Sequence, residues 1–330
     1  MNWDSNFQAS RALSFLPPSE QASVLKYYHV KDAKMSLASQ LLKHLVIAKY
    51  CRVPWRKTAF SRDARGKPFW PPTNVDTKDH VKIAFNVSHQ AGLVSMIAVI
   101  GGEGDVEVGT DIVCVNERLD NDYRQIEKEG FFSWIDVYAD VFAESEVEFM
   151  KLAPVNLDLG DGVELKGVGN NILSSCQWRN AKLEIEAIVG EPGKAIAVTL
   201  DSNVVIDAKM RRFYAMWCLR EAYVKMTGEA LLAPWLKELE FLGVEAPAEN
   251  RSIQDSASLG KGQVAKEFRI NFKRKPVTNV MMELTALGKN YMVAGSARSA
   301  TGRDISSLQM GEWKLLDLES DVLAFGEGIS

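Results

Sequence analysis

The chain has 330 residues, of which 46% are hydrophobic and 25% are charged. These proportions are ordinary for a globular protein and allow one large domain or two of moderate size. Acidic residues outnumber basic residues by 43 to 39, so the chain lacks the overall basic excess of a duplex-binding protein, and nucleic acid is not an expected partner.

The four cysteines lie far apart, and the sequence contains neither a CxxC pair nor an HExxH motif. This spacing disfavours structural zinc and a disulfide framework. The first residues do not form the basic and apolar segments of a signal peptide, and the longest apolar run, residues 93–100, is too short to span a bilayer. The sequence therefore predicts a cytoplasmic protein that does not associate with membranes.

Apolar residues recur at helical spacing over residues 31–50, which predicts a helix that ends before Pro54. Residues 61–67 form a polar turn, and a proline-rich stretch follows at residues 68–72. Glycine and proline in this region predict an ordered loop that contains no regular element.

Residues 83–87 and 93–100 are predicted to be two strands joined by a short turn at residues 88–92. After the Gly101-Gly102 break, residues 103–115 are predicted to form a third strand.

Helical character returns over residues 131–150, where Glu144, Glu146 and Glu148 are interpreted as a solvated face. Residues 151–209 are interpreted as an insertion with strand content, because alternating polarity recurs at residues 181–188 and 195–199. Residues 211–227 predict a long helix that Gly228 ends, and residues 231–234 begin a turn.

The last third of the chain carries three predicted strands, at residues 267–272, 280–284 and 291–294. Residues 249–263 are rich in serine, glycine and charge, which predicts a loop. The order of helix and then strands occurs in both halves of the chain, although the two halves share too little sequence to prove a repeat.

Glu221 and Lys225 fall on one face of the long helix, one turn apart and next to Trp217. An ordinary pair of this kind stabilises a helix by roughly 0.2–0.5 kcal/mol. The alternative is that Glu221 binds a metal ion and Lys225 binds a phosphate.

Ser88 and His89 offer a hydroxyl and an imidazole that suit a phosphate oxygen. Adjacent strand residues point to opposite faces, so the two are a poor catalytic dyad. In Val-Gly-Thr-Asp-Ile, residues 108–112, an aspartate interrupts an apolar strand. Burying Asp111 is costly unless it is hydrogen-bonded or binds a cation. If Asp111 converges with Glu221, the two carboxylates would suit Mg²⁺ together with substrate phosphates.

Arg62, Arg65 and Lys67 surround a glycine in a tight loop, and such a cluster suits a terminal phosphate. Read alone, the cluster is a weak indication, since exposed runs of arginine and lysine are usually solvated surface. The sequence contains no P-loop, no GxGxxG and no kinase signature.

The four segments, in this order, resemble the signature blocks of the Sfp-type 4′-phosphopantetheinyl transferases. The blocks are RDARGKP at residues 62–68, FNVSH at 85–89, VGTDI at 108–112 and WCLREAYVK at 217–225. Residues 225–235, KMTGEALLAPW, and residues 27–32, YYHVKD, are similar to the fungal members. The resemblance covers roughly residues 21–242, apart from the insertion.

The resemblance implies an α+β fold of two pseudo-twofold-related halves, each with a small antiparallel sheet and a long helix. Residues 1–109 would form the N-terminal half, on the 3′-phosphoadenosine side of coenzyme A. Residues 110–330 would form the C-terminal half, with the metal-binding residues and the insertion near residues 151–209.

The resemblance also implies the reaction. The 4′-phosphopantetheine of coenzyme A would be transferred to a serine of an acyl or peptidyl carrier protein, with release of adenosine 3′,5′-bisphosphate. The carrier would belong to a fatty acid synthase, polyketide synthase, nonribosomal peptide synthetase or aminoadipate reductase. A monomer is expected.

The resemblance assigns roles to particular residues of this chain. Asp111 and Glu221 would hold Mg²⁺, and Lys225 would contact the pyrophosphate. Glu221 is nominated as the general base, with Lys225 and metal-bound water as competitors. The residues expected to bind coenzyme A are Arg62, Arg65, Lys67, Asn86, Ser88, His89, Asp111 and Lys225, with Lys43 and His44 as further candidates and the helix from Lys34 nearby.

One position departs from many relatives, which carry Asp-x-Glu where this chain has Asp111 followed by Val113. Since valine cannot ligate a metal, water is expected at that coordination position, and weaker metal binding is expected. Two other hypotheses remain at this point. One is a non-catalytic module that binds carrier proteins and retains the fold, and the other is a Mg²⁺-dependent phosphohydrolase using Asp111 and Glu221.

Overall fold

The protein is a mixed α+β structure in which small antiparallel sheets pack against two long helices. The computed structural model describes residues 7–71, 81–101, 106–155, 157–158, 164–165, 171–189, 194–229, 233–250, 259–301 and 308–328. The α-helices in these residues are α1 (Phe7–Ser14), α2 (Pro18–Leu25), α3 (Val30–Cys51), α4 (Leu119–Glu129), α5 (Phe131–Asp136), α6 (Glu144–Leu152), α7 (Asn171–Ser175), α8 (Ser202–Thr227) and α9 (Ala324–Gly328).

The strands form several separate sheets. They are β1 (Ser61–Arg62), β2 (Pro68–Phe69), β3 (Ile83–Gln90), β4 (Leu93–Ile100), β5 (Val106–Cys114), β6 (Leu157–Asp158), β7 (Glu164–Leu165), β8 (Lys182–Val189), β9 (Lys194–Asp201), β10 (Leu239–Leu242), β11 (Lys261–Ala265), β12 (Arg269–Phe272), β13 (Lys275–Pro276), β14 (Val280–Leu287) and β15 (Tyr291–Ser299). The largest sheet has the order β11-β14-β15-β5, and a three-stranded sheet has the order β10-β12-β13.

Helix α3 confirms the helix predicted at residues 31–50, and it packs against β3 and β4. It ends where Arg52 adopts a left-handed conformation with φ 54°, two residues before Pro54. Left-handed residues end helices because they direct the chain away from the helix axis.

Strands β3 and β4 form a hairpin whose turn is Ala91-Gly92, with φ of 48° and 86°. Two positive φ values match the twist of a tight hairpin. The prediction of a turn over residues 88–92 is therefore wrong, because β3 continues to Gln90. Ser88 and His89 lie on the strand itself, with Ser88 buried and His89 exposed, which confirms that they point to opposite faces.

The four-stranded sheet has a different partner on each face. Gly109 and Ser296 pair in register and face α8, since Ser296 Oγ donates to the carbonyl of Ala222 at 3.0 Å. The other face is covered partly by residues 308–323, which we call the C-terminal strap. A Cβ at Gly295, on that face, would lie 2.9 Å from Met310 and 3.4 Å from Trp313.

Helix α8 begins at Ser202, well before the predicted start at Arg211. The Asp201 side chain accepts from Asn203 N at 2.9 Å and caps the helix. Val205 and Ile206 are β-branched, which disfavours a helix locally, but both are fully buried and packing overrides the propensity. Gly228, with φ 75°, ends the helix as predicted.

The helix predicted at residues 131–150 is interrupted, because residues 137–143 separate α5 from α6. Glu144 and Glu148 are exposed, as predicted. The prediction that Glu146 is solvated is wrong, because this side chain is buried and forms an ion pair with Arg220. The sequence pattern of alternating glutamates does not show which of them is exposed and which has a buried cationic partner.

The predicted insertion contains the hairpin β8–β9, which confirms its strand content. Strands β12, β14 and β15 confirm the three strands of the last third, with β14 and β15 extending further than predicted. Residues 261–263 belong to β11 and not to a loop. Some of the predicted segments lie outside the described residues. They are residues 251–258 of the predicted loop, residues 103–105 at the start of the third predicted strand, residues 231–232 of the turn, and Pro72.

No helix in the described part of the chain is both long and apolar enough to cross a membrane.

Candidate functional site

Asp111, Ser88 and Lys225 meet where β3, β5 and the last turn of α8 come together. Lys225 Nζ donates to Asp111 Oδ1 at 2.5 Å and to Ser88 Oγ at 2.8 Å. Ser88 Oγ donates to the same Asp111 oxygen at 2.8 Å. Asp111 is 6% exposed, and its burial raises the pKa of its carboxyl while Lys225 and Ser88 oppose that rise. Three of the predicted site residues thus form one charged cluster.

A close approach of α8 to β5 brings these residues together. A Cβ at Gly109 would lie 2.1 Å from the carbonyl oxygen of Ala222 and 2.4 Å from the amide nitrogen of Met226. Only glycine fits such a contact. Gly109 was part of the quoted motif, but its structural role was not predicted. A glycine inside an otherwise apolar strand was the available signal.

Glu221 lies one turn before Lys225 and close to Asp111. Burial raises the pKa of the Glu221 carboxyl, Asp111 raises it further, and Lys225 lowers it. Among the described residues, none donates a hydrogen bond to the Glu221 side chain. Two carboxylates that raise the energy of each other's charged form are suited to a cation between them.

The donor set fits Mg²⁺, which proteins bind through one or two carboxylates together with substrate phosphates and water. The described residues contain no group of three or more histidine, cysteine or acidic side chains that could hold a metal ion. Val113 is buried in the hydrophobic core with Cys218 and Leu219 of α8, so its side chain serves packing. The protein therefore offers two carboxylates here.

Asn86 connects β3 to β5, because its Oδ1 accepts a hydrogen bond from Thr110 N at 3.1 Å. This contact holds the two strands in register next to Asp111 and Ser88. The structure thus places Asn86 beside the cluster, with its carbonyl oxygen engaged by the backbone.

His89 lies on the outer face of β3, near three other charged groups. Partial burial lowers the pKa of its imidazole, Lys225 and Lys43 lower this pKa further, and Asp32 raises it. Positive charge from α8 and α3 therefore converges on this histidine and favours an anion nearby.

Lys43 and His44 are both buried on α3, but they have different surroundings. Burial and the neighbouring Arg62 lower the pKa of Lys43 to about 8, and its Nζ donates to Gln40 Oε1 at 2.9 Å. The two ring nitrogens of His44 are engaged by Thr58 Oγ1 at 2.5 Å and Glu20 Oε2 at 3.0 Å. His44 is thus held by protein groups, whereas Lys43 belongs to the cationic group around Arg62.

The loop between β1 and β2 rests against the C-terminal end of α8. The prediction that this region contains no regular element is wrong, because Ser61 and Arg62 pair with Phe69 and Pro68 as two short strands. Arg65 donates to Thr227 O at 2.9 Å and Lys67 donates to Met226 O at 2.6 Å. Arg62 instead donates to Gly66 O at 2.7 Å and is exposed. Cations at the last carbonyls stabilise a helix end, so two of the three predicted phosphate ligands also anchor the loop to the helix that carries Lys225.

The comparisons with known proteins agree with this geometry. Residues 2–101 match the family model described as 4′-phosphopantetheinyl transferase, N-terminal. The chain is 39% identical over 320 residues to a 4′-phosphopantetheinyl transferase of Aureobasidium melanogenum, an alignment that covers 96% of this chain and 91% of the relative. The chain belongs to the 4′-phosphopantetheinyl transferases.

Two further fungal relatives support the assignment. The 4′-phosphopantetheinyl transferase 1 of Fusarium mangiferae is 37% identical over 98% of this chain and 88% of its own length. The 4′-phosphopantetheinyl transferase NpgA of Emericella nidulans is 34% identical over 96% of this chain and 89% of its own length. The resemblance to the family and to its fungal members is thereby confirmed, together with the mixed α+β fold and the transferase activity.

Arg220 is a residue of the transferase whose role was not predicted from the sequence. It lies next to Glu221, is fully buried, and forms an ion pair with Glu146. Arg220 also donates to Leu236 O at 2.7 Å and Leu239 O at 2.8 Å. The pair holds α6, α8 and β10 together behind Glu221. Its partner could not be identified from sequence because Glu146 resembles an ordinary surface residue of a helix.

Proposed function

We propose that the transferase moves 4′-phosphopantetheine from coenzyme A to a serine of an acyl or peptidyl carrier protein, with Mg²⁺ as cofactor. In this reaction the serine oxygen forms a bond to the β-phosphorus of coenzyme A. The bond from that phosphorus to the oxygen bridging the two phosphates breaks, and adenosine 3′,5′-bisphosphate leaves. The observation that supports this most directly is the cluster of Lys225, Asp111 and Ser88 with Glu221 one helical turn away.

Asp111 and Glu221 are the proposed ligands of Mg²⁺. When bound, the ion would offset negative charge on the pyrophosphate. The burial of Asp111 and the burial that raises the pKa of Glu221 support this assignment, because both carboxylates lack full solvation. Because Val113 lies in the core, the strand supplies only one carboxylate, Asp111. Glu221 therefore contributes a larger share of the metal ligands than it would beside two strand carboxylates.

Lys225 is proposed to contact the pyrophosphate. Its ammonium already lies between Ser88 and Asp111, so it is held in position before the substrate arrives. A fixed positive charge lowers the barrier most when it meets charge that grows in the transition state.

The proton of the attacking serine must be accepted by a base, and Glu221 is the proposed base. Its position supports this role, since Glu221 interacts with both Asp111 and Lys225 and would therefore lie beside the reacting groups. Lys225, in its neutral form, is the alternative among the residues of the chain.

Coenzyme A is proposed to lie along Arg62, Arg65, Lys67, Asn86, Ser88 and His89. The pKa effects of Arg62 on Lys43 and of Lys43 and Lys225 on His89 support this placement. These cations repel one another, and a polyanionic ligand relieves that repulsion. The 3′-phosphoadenosine side would then belong to residues 1–109 and the metal side to residues 110–330. The boundary between these halves falls inside β5.

The proposed partners are carrier domains of fatty acid synthase, polyketide synthase, nonribosomal peptide synthetase or aminoadipate reductase. The transferase is proposed to act on them in the cytoplasm as a monomer.

A panel of purified apo carriers tests the proposal. Each is incubated with the transferase, coenzyme A and Mg²⁺, and its intact mass is measured. At least one carrier should gain the mass of 4′-phosphopantetheine, and Lys225→Met should slow this gain by about 100-fold or more. The matched control is Lys237→Met, which alters a lysine that is 57% exposed. Unchanged mass across all carriers, or equal rates for the two variants, would contradict the proposal. Release of adenosine 3′,5′-bisphosphate without any carrier would point to a phosphohydrolase instead.

A further inference from the structure

A cavity of about 740 Å³ lies on the side of the four-stranded sheet that faces away from α8. Its walls come from α1 and α3, the strands β4, β5, β11, β14 and β15, and the C-terminal strap. This size lies within the roughly 300–1,000 Å³ of small-molecule sites. None of the residues to which the proposed reaction assigns a role lines it.

The interior of the cavity is apolar. The apolar residues that line it include Met35 and Leu41 of α3, Ile112 of β5, and Trp313 and Leu318 of the strap. Water gains few hydrogen bonds in such a space, so an apolar group is the favourable occupant.

The charges on the wall all have the same sign. Lys31, Lys34, Lys261 and Lys314 line the cavity, whereas none of the wall residues that the structure describes is acidic. Glu312, which does not line the cavity, is paired with Lys261 at 2.6 Å and also interacts with Lys314. Among the described residues, no acidic side chain forms an ion pair with Lys31 or Lys34. Lysines place their alkyl stems against apolar surface and their ammonium groups at its edge. The edge of the cavity therefore favours a negative charge.

The cavity is distinct from the Asp111 site because the two use opposite faces of β5. Ile112 lines the cavity, while Asp111 and Val113 point toward α8. A ligand in the cavity and coenzyme A at the Asp111 cluster would therefore occupy separate volumes.

We propose that this cavity binds a long-chain fatty carboxylate, with the alkyl chain inside and the carboxylate among the lysines at the edge. An apolar interior whose wall carries four lysines and no acidic residue among those described complements an amphipathic anion. It disfavours an amphipathic cation by repulsion, and it gives a neutral alcohol no charge to pair. This inference does not depend on the proposed reaction.

Binding is tested on the full chain by calorimetric titration with three probes of equal chain length: myristate, tetradecanol and tetradecyltrimethylammonium, each below its aggregation threshold. Myristate should bind saturably at one site, and each of the other two should bind at least about tenfold more weakly. Excess coenzyme A should not displace myristate. Absence of saturable myristate binding, equal binding of the ammonium probe, or displacement by coenzyme A would each overturn the proposal.

Two variants test whether myristate binds in the cavity. Leu315→Glu and Lys314→Glu each add negative charge to the wall at an exposed position, and Leu315 is 74% exposed, so folding should be retained. Each should weaken myristate by about tenfold. Lys128→Glu, at a lysine that is 79% exposed on α4, is the control and should have no effect. Equal affinity in the three variants would place the ligand elsewhere and overturn the assignment.

Discussion

Lys225 Nζ lies 2.5 Å from Asp111 Oδ1, so the last turn of α8 is joined to the middle of β5 by a charged hydrogen bond. Ser88 adds a second donor to the same oxygen from β3. Three elements that are distant in sequence therefore fix one carboxylate. The orientation of Asp111 depends on all three, which allows their contributions to be measured separately.

Replacing Ser88 by alanine should lower the transfer rate by about tenfold, because a hydrogen bond to a charged group contributes roughly 1.5–3 kcal/mol and Lys225 retains its contact. Single-turnover kinetics with saturating coenzyme A measures this effect. Ser95→Ala is the matched control, since Ser95 pairs with Ser88 in the hairpin and its contacts are 3.4 and 3.5 Å long. Equal losses in both variants would show that Ser88 acts only through strand packing.

Gly109→Ala should destabilise the protein by about 3 kcal/mol or more, because the added methyl group would overlap the backbone of α8 at 2.1 Å. Urea unfolding measures the change. Gly311→Ala is the control, because nothing lies within 4 Å of a Cβ at that position. The same unfolding midpoint in both variants would contradict the close approach of β5 and α8 at Gly109.

Arg220→Met and Glu146→Gln should each cost roughly 3–5 kcal/mol, because each leaves a buried charged or polar partner uncompensated. The double variant should cost less than the sum of the two, since it removes both charges. Denaturant unfolding of the four proteins in this cycle gives the coupling energy. Additive losses would show that the two side chains do not interact.

Much of the fold could be predicted from the sequence because local patterns determined it. Helix α3, the strands β3 and β4, and the end of α8 at Gly228 followed from apolar spacing and a glycine. The start of α8 could not be predicted, because Val205 and Ile206 favour a strand locally and become helical only through burial.

The candidate site was predicted as a set of residues but not as a geometry. The sequence placed Asp111 and Lys225 in one site, yet their hydrogen bond depends on a packing contact at Gly109 that no local pattern specifies. Arg65 and Lys67 looked like free cations, and their contacts with the end of α8 depend on tertiary structure. The partnership of Arg220 with Glu146 likewise joins elements that are far apart in the chain.

The buried Lys209 should make stability depend on pH above neutrality. Its ammonium donates to the carbonyls of Lys151, Ser174 and Cys176, and burial lowers its pKa to about 8. The unfolded chain, with the ordinary lysine pKa of about 10.4, then binds more protons than the folded chain between these values. The contribution of Lys209 to stability should therefore rise as pH increases from 8 toward 10.

This rise is measured as the difference in unfolding free energy between the wild type and Lys209→Met from pH 7 to pH 9.5. Other titrating groups are common to both proteins, so the difference isolates Lys209. The difference should grow by about 1–2 kcal/mol over this range. A difference that stays constant or shrinks with pH would mean that Lys209 is not held with a lowered pKa.

Asp111 and Glu221 together are proposed to hold the Mg²⁺ that transfer requires. The direct test is the Mg²⁺ dependence of the apo-to-holo conversion of a carrier protein, followed by intact mass, in the wild type, Asp111→Asn, Glu221→Gln and the exposed control Glu148→Gln. Asp111→Asn and Glu221→Gln should each need more Mg²⁺ and lose at least about 100-fold in rate while remaining folded, and Glu148→Gln should match the wild type. Wild-type rates and Mg²⁺ dependence in either site variant would contradict the claim.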